Sequence, residues 1–226
     1  MPALDAAPTI TRALAALGEG ANGPDGLEGL VRERIVVDGG STDGTAALAR
    51  AAGARVVPAP RGRGIQLATG ATAATGEWLL FVHADTVLDP GWGRAAAAFM
   101  ASHPTGGRAA YFRFTLDDPR PAARRLERLV ATRCRLLALP YGDQGLLIHR
   151  TLYDAAGGFR PLPLFEDVDI ARRITRGRLA ALDVAAVTSA DRYLRSGYLL
   201  RPARNLCCLG LYFLGVPPRL IERIYG

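Results

Sequence analysis

Glu77-Trp78-Leu79-Leu80-Phe81-Val82-His83-Ala84-Asp85-Thr86-Val87-Leu88-Asp89 is the stretch on which the fold turns. Trp78 to Val82 form an apolar run short enough to be one buried strand, and it stops abruptly at His83-Ala84-Asp85. In open α/β sheets ligands bind beyond the carboxyl ends of the strands. An acid and an imidazole delivered there are candidates to hold a divalent metal: Asp85, with His83 beside it. A strand end capped by an aspartate is the plain alternative.

Upstream, Arg34-Ile35-Val36-Val37 is a second short buried strand, broken by Asp38-Gly39-Gly40-Ser41-Thr42-Asp43-Gly44-Thr45. Gly39 and Gly40 permit close approach of a ligand to the backbone. Ser41 or Thr42 is placed to cap a helix over Thr45–Ala52, and Asp43 suits its N-terminus. Gly53 ends that helix and Arg55-Val56-Val57 starts a strand, an order that predicts a parallel sheet. Before all this, Thr9–Leu17 has the spacing of a helix, with no strand preceding it. Residues 18–30 have the composition of a loop.

Arg61-Gly62-Arg63-Gly64 opens a further helix, from Ile65 to about Ala74. It is no dinucleotide fingerprint, because Leu67 stands where the third glycine would be. As a basic helix start it suits phosphate. After the central strand the pattern predicts a helix to about Met100, a strand over Ala109–Leu116 and an Arg-rich helix over Pro121–Leu139. The last has Leu126, Leu129, Val130 and Leu136 or Leu137 on its apolar side and its arginines in solvent. Pro140–Gly145 is a turn into the strand Leu146–Ile148, followed by a short helix over Thr151–Ala156. Glu166-Asp167-Val168-Asp169 begins a helix through Arg176. Three acids there are in part a helix-dipole preference, but crowding of like charge also raises a carboxyl pKa, which a general base can use. Leu179–Val184 is a last strand, and an amphipathic helix follows.

The bulk composition bounds the partners. The 226 residues suffice for one α/β domain with its own core. Every basic residue is arginine, so a Schiff-base lysine and a P-loop lysine are excluded. The net charge of +7 calls for an anionic partner. Nucleic acid is disfavoured, since aromatics interleaved with the arginines are sparse. Cys134, Cys207 and Cys208 form no metal or disulfide pattern, and no signal peptide is visible, which together predict a cytoplasmic protein. The run Leu206–Val216 is too short to span a bilayer. The C-terminal amphipathic helix suits packing on the domain, a dimer contact, or a peripheral seat on the inner membrane. The oligomeric state is not legible.

Taken together, VDGGSTDGT after a strand, a strand ending in HAD, and GGF…FEDVDIARR further on resemble glycosyltransferase family 2 with the GT-A fold. The resemblance runs from Pro2 to about Tyr193. GDQ, HADT and the C-terminal VPPRL segment resemble most a subgroup of small bacterial transferases from arsenosugar and radical-SAM/selenodomain contexts. The resemblance implies an α/β fold with a mostly parallel mixed sheet flanked by helices, its first strand missing or trimmed. Residues 1–195 would form the transferase domain and 196–226 a helical extension packed on it.

It also implies roles. Asp38 matches the acid that bonds the nucleotide base, within the segment that carries Gly40. Pro2 to Asp5 match the segment lining the nucleoside pocket. Arg63 and Gln66 fall where the family approaches the phosphates. His83-Ala84-Asp85 occupies the DxD position, with Asp85 as the ligand of Mg²⁺ or Mn²⁺ and His83 in place of the first acid. Asp167, with Glu166 before it, matches the general base. Asp143 and Gln144 are candidates for acceptor or donor-sugar contacts, and Arg192 for a phosphate or acceptor contact. The expected activity is metal-dependent, inverting transfer of a sugar from a nucleotide-diphosphate donor, UDP-linked by preference, to an acceptor hydroxyl. A sugar-phosphate nucleotidyltransferase and a non-catalytic Arg-rich binder of anions or membranes are the alternatives.

Overall fold

A computed structural model describes residues 1–21 and 29–225; part of the expected loop at 18–30 therefore lies outside the described residues. Its first sheet is parallel, in the order β1 (Pro2–Ala3), β2 (Ile35–Asp38), β3 (Arg55–Pro58). The opening strand, expected to be missing or trimmed, is present and two residues long. Proline is tolerated there because the first residue of a strand can do without a donor. Val37 N donates to Met1 O at 2.8 Å and Gly39 N to Ala3 O at 2.9 Å, so the ladder to β2 spans both ends of the short strand.

Helices α1 (Ala7–Ala21), α2 (Thr45–Ala51) and α3 (Arg63–Ala73) flank this sheet. The expected cap of α2 by Ser41 or Thr42 is corrected. Asp43 Oδ1 accepts from Thr45 N at 3.0 Å, while Ser41 turns back to Asp38 and Thr42 N donates to Asp5. Asp43 Oδ2 also accepts from Ala7 N at 2.9 Å and Thr45 Oγ1 from Ala6 N at 2.7 Å. One loop therefore satisfies orphan donors at the starts of both α1 and α2.

The second sheet runs β4 (Trp78–Phe81), β7 (Leu146–His149), β6 (Ala109–Leu116), β8 (Leu179–Thr188), β5 (Thr86–Leu88). It is mixed: β6 and β8 are parallel, and the other pairs antiparallel. The strand β5 was not legible, since it is three residues long and follows His83-Ala84-Asp85 directly. The last strand continues past Val184 to Thr188, and its register against β6 shifts between Phe112 and Arg113, which re-aims its end. Phe112 and Ile148 are fully buried where the two faces of this sheet meet their helices, each side chain contributing about 1.5–3 kcal/mol. Helix α4 (Trp92–Ser102) covers one face, with Trp92 Nε1 donating to Ala16 O at 3.1 Å and so tying α1 to it.

Helix α5 (Pro121–Leu137) buries Ala123, Leu126, Val130 and Cys134. Leu129, Leu136 and Leu137 are exposed, so the expected apolar stripe is shifted. Nor are all its arginines solvated: Arg133 stacks on Tyr141 with its guanidinium 3.5 Å from the ring centre. Beyond the short α6 (Arg150–Ala155), α7 (Glu166–Ile174) is followed by α8 (Asp191–Ser196), α9 (Leu200–Phe213) and α10 (Pro218–Tyr225). The single C-terminal helix expected is three. Cys208 and Leu209 of α9 and Ile221 of α10 pack on Leu164, Phe165 and Val168, at the start of α7. No described helix is long and apolar enough to cross a membrane.

Candidate active site

One large cleft runs along the strand ends. Pro2, Asp5, Arg63, Gln66, His83, Ala84, Asp85, Asp143 and Asp167 line it, so most of the sequence-derived candidates converge. Asp38, Gly40, Gln144 and Glu166 are not among its lining residues. Arg192 sits in the first turn of α8, and its side chain lies outside the described residues.

At the nucleoside end, Asp38 closes β2 and accepts from Ser41 N at 3.2 Å and from the Ser41 hydroxyl. Asp5 has φ 47°, which aspartate tolerates better than most residues. Its N–H donates to Ser41 Oγ and its Oδ1 accepts from Thr42 N, both at 2.9 Å. The two loops are therefore locked to each other, and Asp5 acts in shaping the pocket wall. Gly40 has φ 92° and open space where a side chain would stand, consistent with a surface that a ligand can approach.

At the phosphate end, a Cβ on Gly64 would meet Arg160 O at 2.2 Å, so glycine lets the start of α3 dock on the segment before α7. That docking brings Arg63 Nε to 3.0 Å from Glu166 Oε1. Glu166 is fully buried. Burial first and the neighbouring Asp167 charge second push its carboxyl up to about 7, against the pull of Arg63. Neither Glu166 oxygen has an aligned hydrogen-bond donor, although Arg63 Nε lies within 3.0 Å. Glu166 stands behind Arg63, not in the cleft, which corrects its reading as a second catalytic acid.

Gln66 is also corrected. Its amide nitrogen donates to Ala3 O at 2.7 Å and Val37 O at 2.8 Å, and it is buried. Its amide nitrogen is therefore spent on stitching the ends of β1 and β2. Gln144 likewise donates to Phe112 O at 3.1 Å and accepts from Arg133, Cys134 and Tyr141. It fixes the Gly142–Gln144 turn to β6 and α5, with both ends of its amide bonded within the protein.

That turn carries the centre of the site. Gly142 N donates to Asp167 Oδ2 at 2.7 Å, and Val168 N to Asp167 Oδ1 at 2.7 Å. A Cβ on Gly142 would lie 2.4 Å from His83 Nε2 and 3.6 Å from Asp167 Oδ2, so imidazole and carboxylate flank the same α-carbon. Phe165 precedes them at φ 65°, a strained conformation for a bulky residue, held by its packing on Tyr212 at 5.0 Å between rings. Asp143 Oδ1 is buried with no partner. Burial pushes the Asp143 carboxyl up to about 6; Asp167 and Asp85 add to the rise, while Arg133 and Arg63 oppose it. Arg133, Tyr141 and Thr188, whose hydroxyl lies 3.5 Å from Asp143 O, were not singled out from sequence. The Pro-Tyr-Gly-Asp turn ending an Arg-rich helix was the available signal.

Among the described residues, no three His, Cys, Asp or Glu groups are spaced to hold a metal by themselves. Asp85 and Asp143 line the same cleft, and Asp143 Oδ1 has no partner, so the two nonetheless supply hard oxygen donors there. Mg²⁺ and Mn²⁺ suit such donors, and Mg²⁺ commonly binds one or two carboxylates plus substrate phosphates. The residues fit a divalent ion whose coordination the substrate completes.

No curated protein sequence matches the chain. It is similar in structure to a mycobacterial protein, at 26% identity and a TM-score of 0.53, over 83% of this chain and 63% of that one. It is similar also to glucosyl-3-phosphoglycerate synthase from Mycobacterium tuberculosis, in complex with Mn²⁺, UDP and glucosyl-3-phosphoglycerate, at 21% identity and a TM-score of 0.56, over 96% of this chain and 78% of that one. A third is a mannosyltransferase from Pyrobaculum calidifontis in complex with GDP-Man and Mn²⁺, at 22% identity and a TM-score of 0.60, over 90% of this chain and 58% of that one. The chain thus spans less than two thirds of the length of the first and third. The last two resemblances carry the fold alone. The matched family region is residues 1–162, which holds the nucleoside end, the phosphate loop, His83-Ala84-Asp85 and Asp143, and stops before Glu166. On that match, the chain belongs to the family described as Glycosyl transferase family 2.

Proposed function

We propose that the protein transfers a sugar from a nucleotide-diphosphate donor, UDP-linked by preference, to an acceptor hydroxyl, with inversion and with a divalent metal. The observation that carries this is the convergence of Asp167, His83, Asp85 and Asp143 in one cleft that Arg61 and Arg63 also line. Asp85, with His83, would hold Mg²⁺ or Mn²⁺, which when bound neutralises charge on the departing diphosphate.

The rest is the work of the chain's own residues. Arg61 and Arg63 bind phosphate oxygens, Arg63 held in place by buried Glu166. Pro2 and Asp5 wall the nucleoside. Asp167, fixed by two backbone amides, takes the proton of the acceptor hydroxyl at a carboxylate oxygen. A hydroxyl deprotonated there attacks from the face opposite the diphosphate, and one displacement inverts the anomeric centre.

The GDQ, HADT and VPPRL segments support the finer placement among transferases of arsenosugar and radical-SAM contexts. Three free cysteines support a reducing, cytoplasmic setting. The packing of Cys208, Leu209 and Ile221 on Phe165 supports treating 196–226 as an extension of the 1–195 domain.

Thermal unfolding with UDP and GDP, with and without Mn²⁺, tests the reading. A rise in Tm with nucleotide that requires Mn²⁺ is expected. Indifference to every nucleotide would sink it.

A further inference from the structure

The wall of the cleft away from the nucleoside end is built by α5, α8, α9 and α10. Arg133, Arg195, Arg201, Arg219 and Arg223 line it. The acids those helices contribute to the lining are Asp191 and Glu222, so that part of the wall carries a surplus of positive charge. Like charges gathered in a concave site repel one another and focus a field that draws in an anion. In the transferase reading the donor's phosphates fall to Arg61 and Arg63, at the start of α3, whereas the arginines of α8, α9 and α10 form a separate group on other elements.

The wall is built rather than incidental. Arg201 lies with its guanidinium 5.6 Å from the Tyr193 ring centre. Tyr193 stacks on Tyr198, with centroids 5.6 Å apart and planes at 16°. Arg120 covers the Tyr198 ring from 5.5 Å and bridges to Asp118 at 2.7 Å, and the Tyr198 hydroxyl donates to the same Asp118. An arginine resting on a braced aromatic stack keeps its donor fork available for an oxyanion at little entropic cost. Arg133 is fixed in the same manner, on Tyr141 and through its bond to Leu139 O at 2.9 Å. Both line the same cleft as Asp167.

We propose that this wall is the acceptor subsite and that the acceptor carries a phosphate or carboxylate group near its reacting hydroxyl. The inference rests on the glycosyl-transfer reading and adds the class of acceptor to it. The anionic group could belong to a soluble ester or to a lipid headgroup; the shared chemistry is a hydroxyl close to an oxyanion.

The test uses the full chain, saturated with UDP and Mn²⁺ so that the donor end is filled. Calorimetry then follows glycerol 3-phosphate against neutral glycerol, and sedimentation follows vesicles of phosphatidylglycerol against phosphatidylcholine. Arg201→Gln and Arg195→Gln are compared with the unaltered protein, with UDP affinity and circular dichroism as controls for folding. Binding of the phosphate ester but not of glycerol is expected, weakened about tenfold or more by either substitution while UDP affinity holds. Association with phosphatidylglycerol vesicles alone, lost in the same variants, supports the proposal with a lipid acceptor. Anion binding that ignores both substitutions, or no anion binding in either arm, overturns it. If UDP itself fails to bind, the transferase reading falls separately, and the anion arms are read without nucleotide.

Discussion

Gly142 and Asp167 are joined by a 2.7 Å hydrogen bond from the glycine amide to Oδ2 of the carboxylate, although they lie on different elements. This bond sets the base relative to the turn that also carries Asp143. The absence of a side chain at Gly142 is what admits His83 to the same spot, since a Cβ would come within 2.4 Å of its Nε2. Gly142→Ala must therefore displace the imidazole. We expect turnover to fall about tenfold or more, with Tm little changed because the turn is not in a left-handed conformation. Steady-state kinetics beside a melting curve checks this. Unchanged kcat would mean that the position of His83 is irrelevant.

His83 stands where the resemblance calls for an acid. His83→Asp is expected to retain transfer and to reach half-maximal rate at lower Mn²⁺, because it adds negative charge beside Asp85. His83→Ala should raise the metal requirement. A Mn²⁺ titration of activity decides; loss of all activity in His83→Asp would show that the imidazole has a role no carboxylate can fill.

Glu166 and Asp143 make metal-free stability depend on pH. Their carboxyls are raised to about 7 and about 6, from 4.5 and 3.8 in an unfolded chain. The folded state therefore holds protons that the unfolded state has released. The stabilisation is fully present below the unfolded values and is lost as pH rises through 6 to 7. Melting should weaken between pH 5 and pH 8 by on the order of 1 kcal/mol or more. Glu166→Gln should flatten most of that slope, and a variant with the slope unchanged would place its origin elsewhere.

Gln66→Leu tests the reassignment of a residue first placed near phosphate. Removing its amide leaves Ala3 O and Val37 O without their buried donor, at a cost of about 1–3 kcal/mol. Denaturant melts should show the loss, with nucleotide affinity per folded molecule close to normal. The opposite pattern, normal stability and weakened nucleotide binding, would restore Gln66 to the phosphates.

The parts of the site that were legible lie at strand ends, where an apolar run breaks into chemistry. Val36-Val37-Asp38, Phe81-Val82-His83 and the start of α7 are of this kind, because local pattern and function coincide there. The roles of Gln66 and Gln144 were not legible. Both are polar residues in motif positions, yet each is spent on backbone carbonyls far along the chain, a need that only the tertiary fold creates. Glu166 looked like a catalytic partner of Asp167 because the two are adjacent. One helical step turns it inward to Arg63. The two-residue β1 has too few residues to show any periodicity, and the shifted stripe of α5 shows how leucines at helical spacing can still face outward when a cleft lies beside them.

The central claim is that Asp167 is the base of a metal-dependent sugar transfer. Asp167→Asn keeps the shape of the side chain and its contact with Gly142 N through the amide oxygen, but removes the proton acceptor. Transfer from a sugar nucleotide, measured with Mn²⁺ beside nucleotide affinity in the same variant, is predicted to fall by about 10²–10⁴-fold while nucleotide affinity stays within about twofold. Transfer at the unaltered rate would contradict the account.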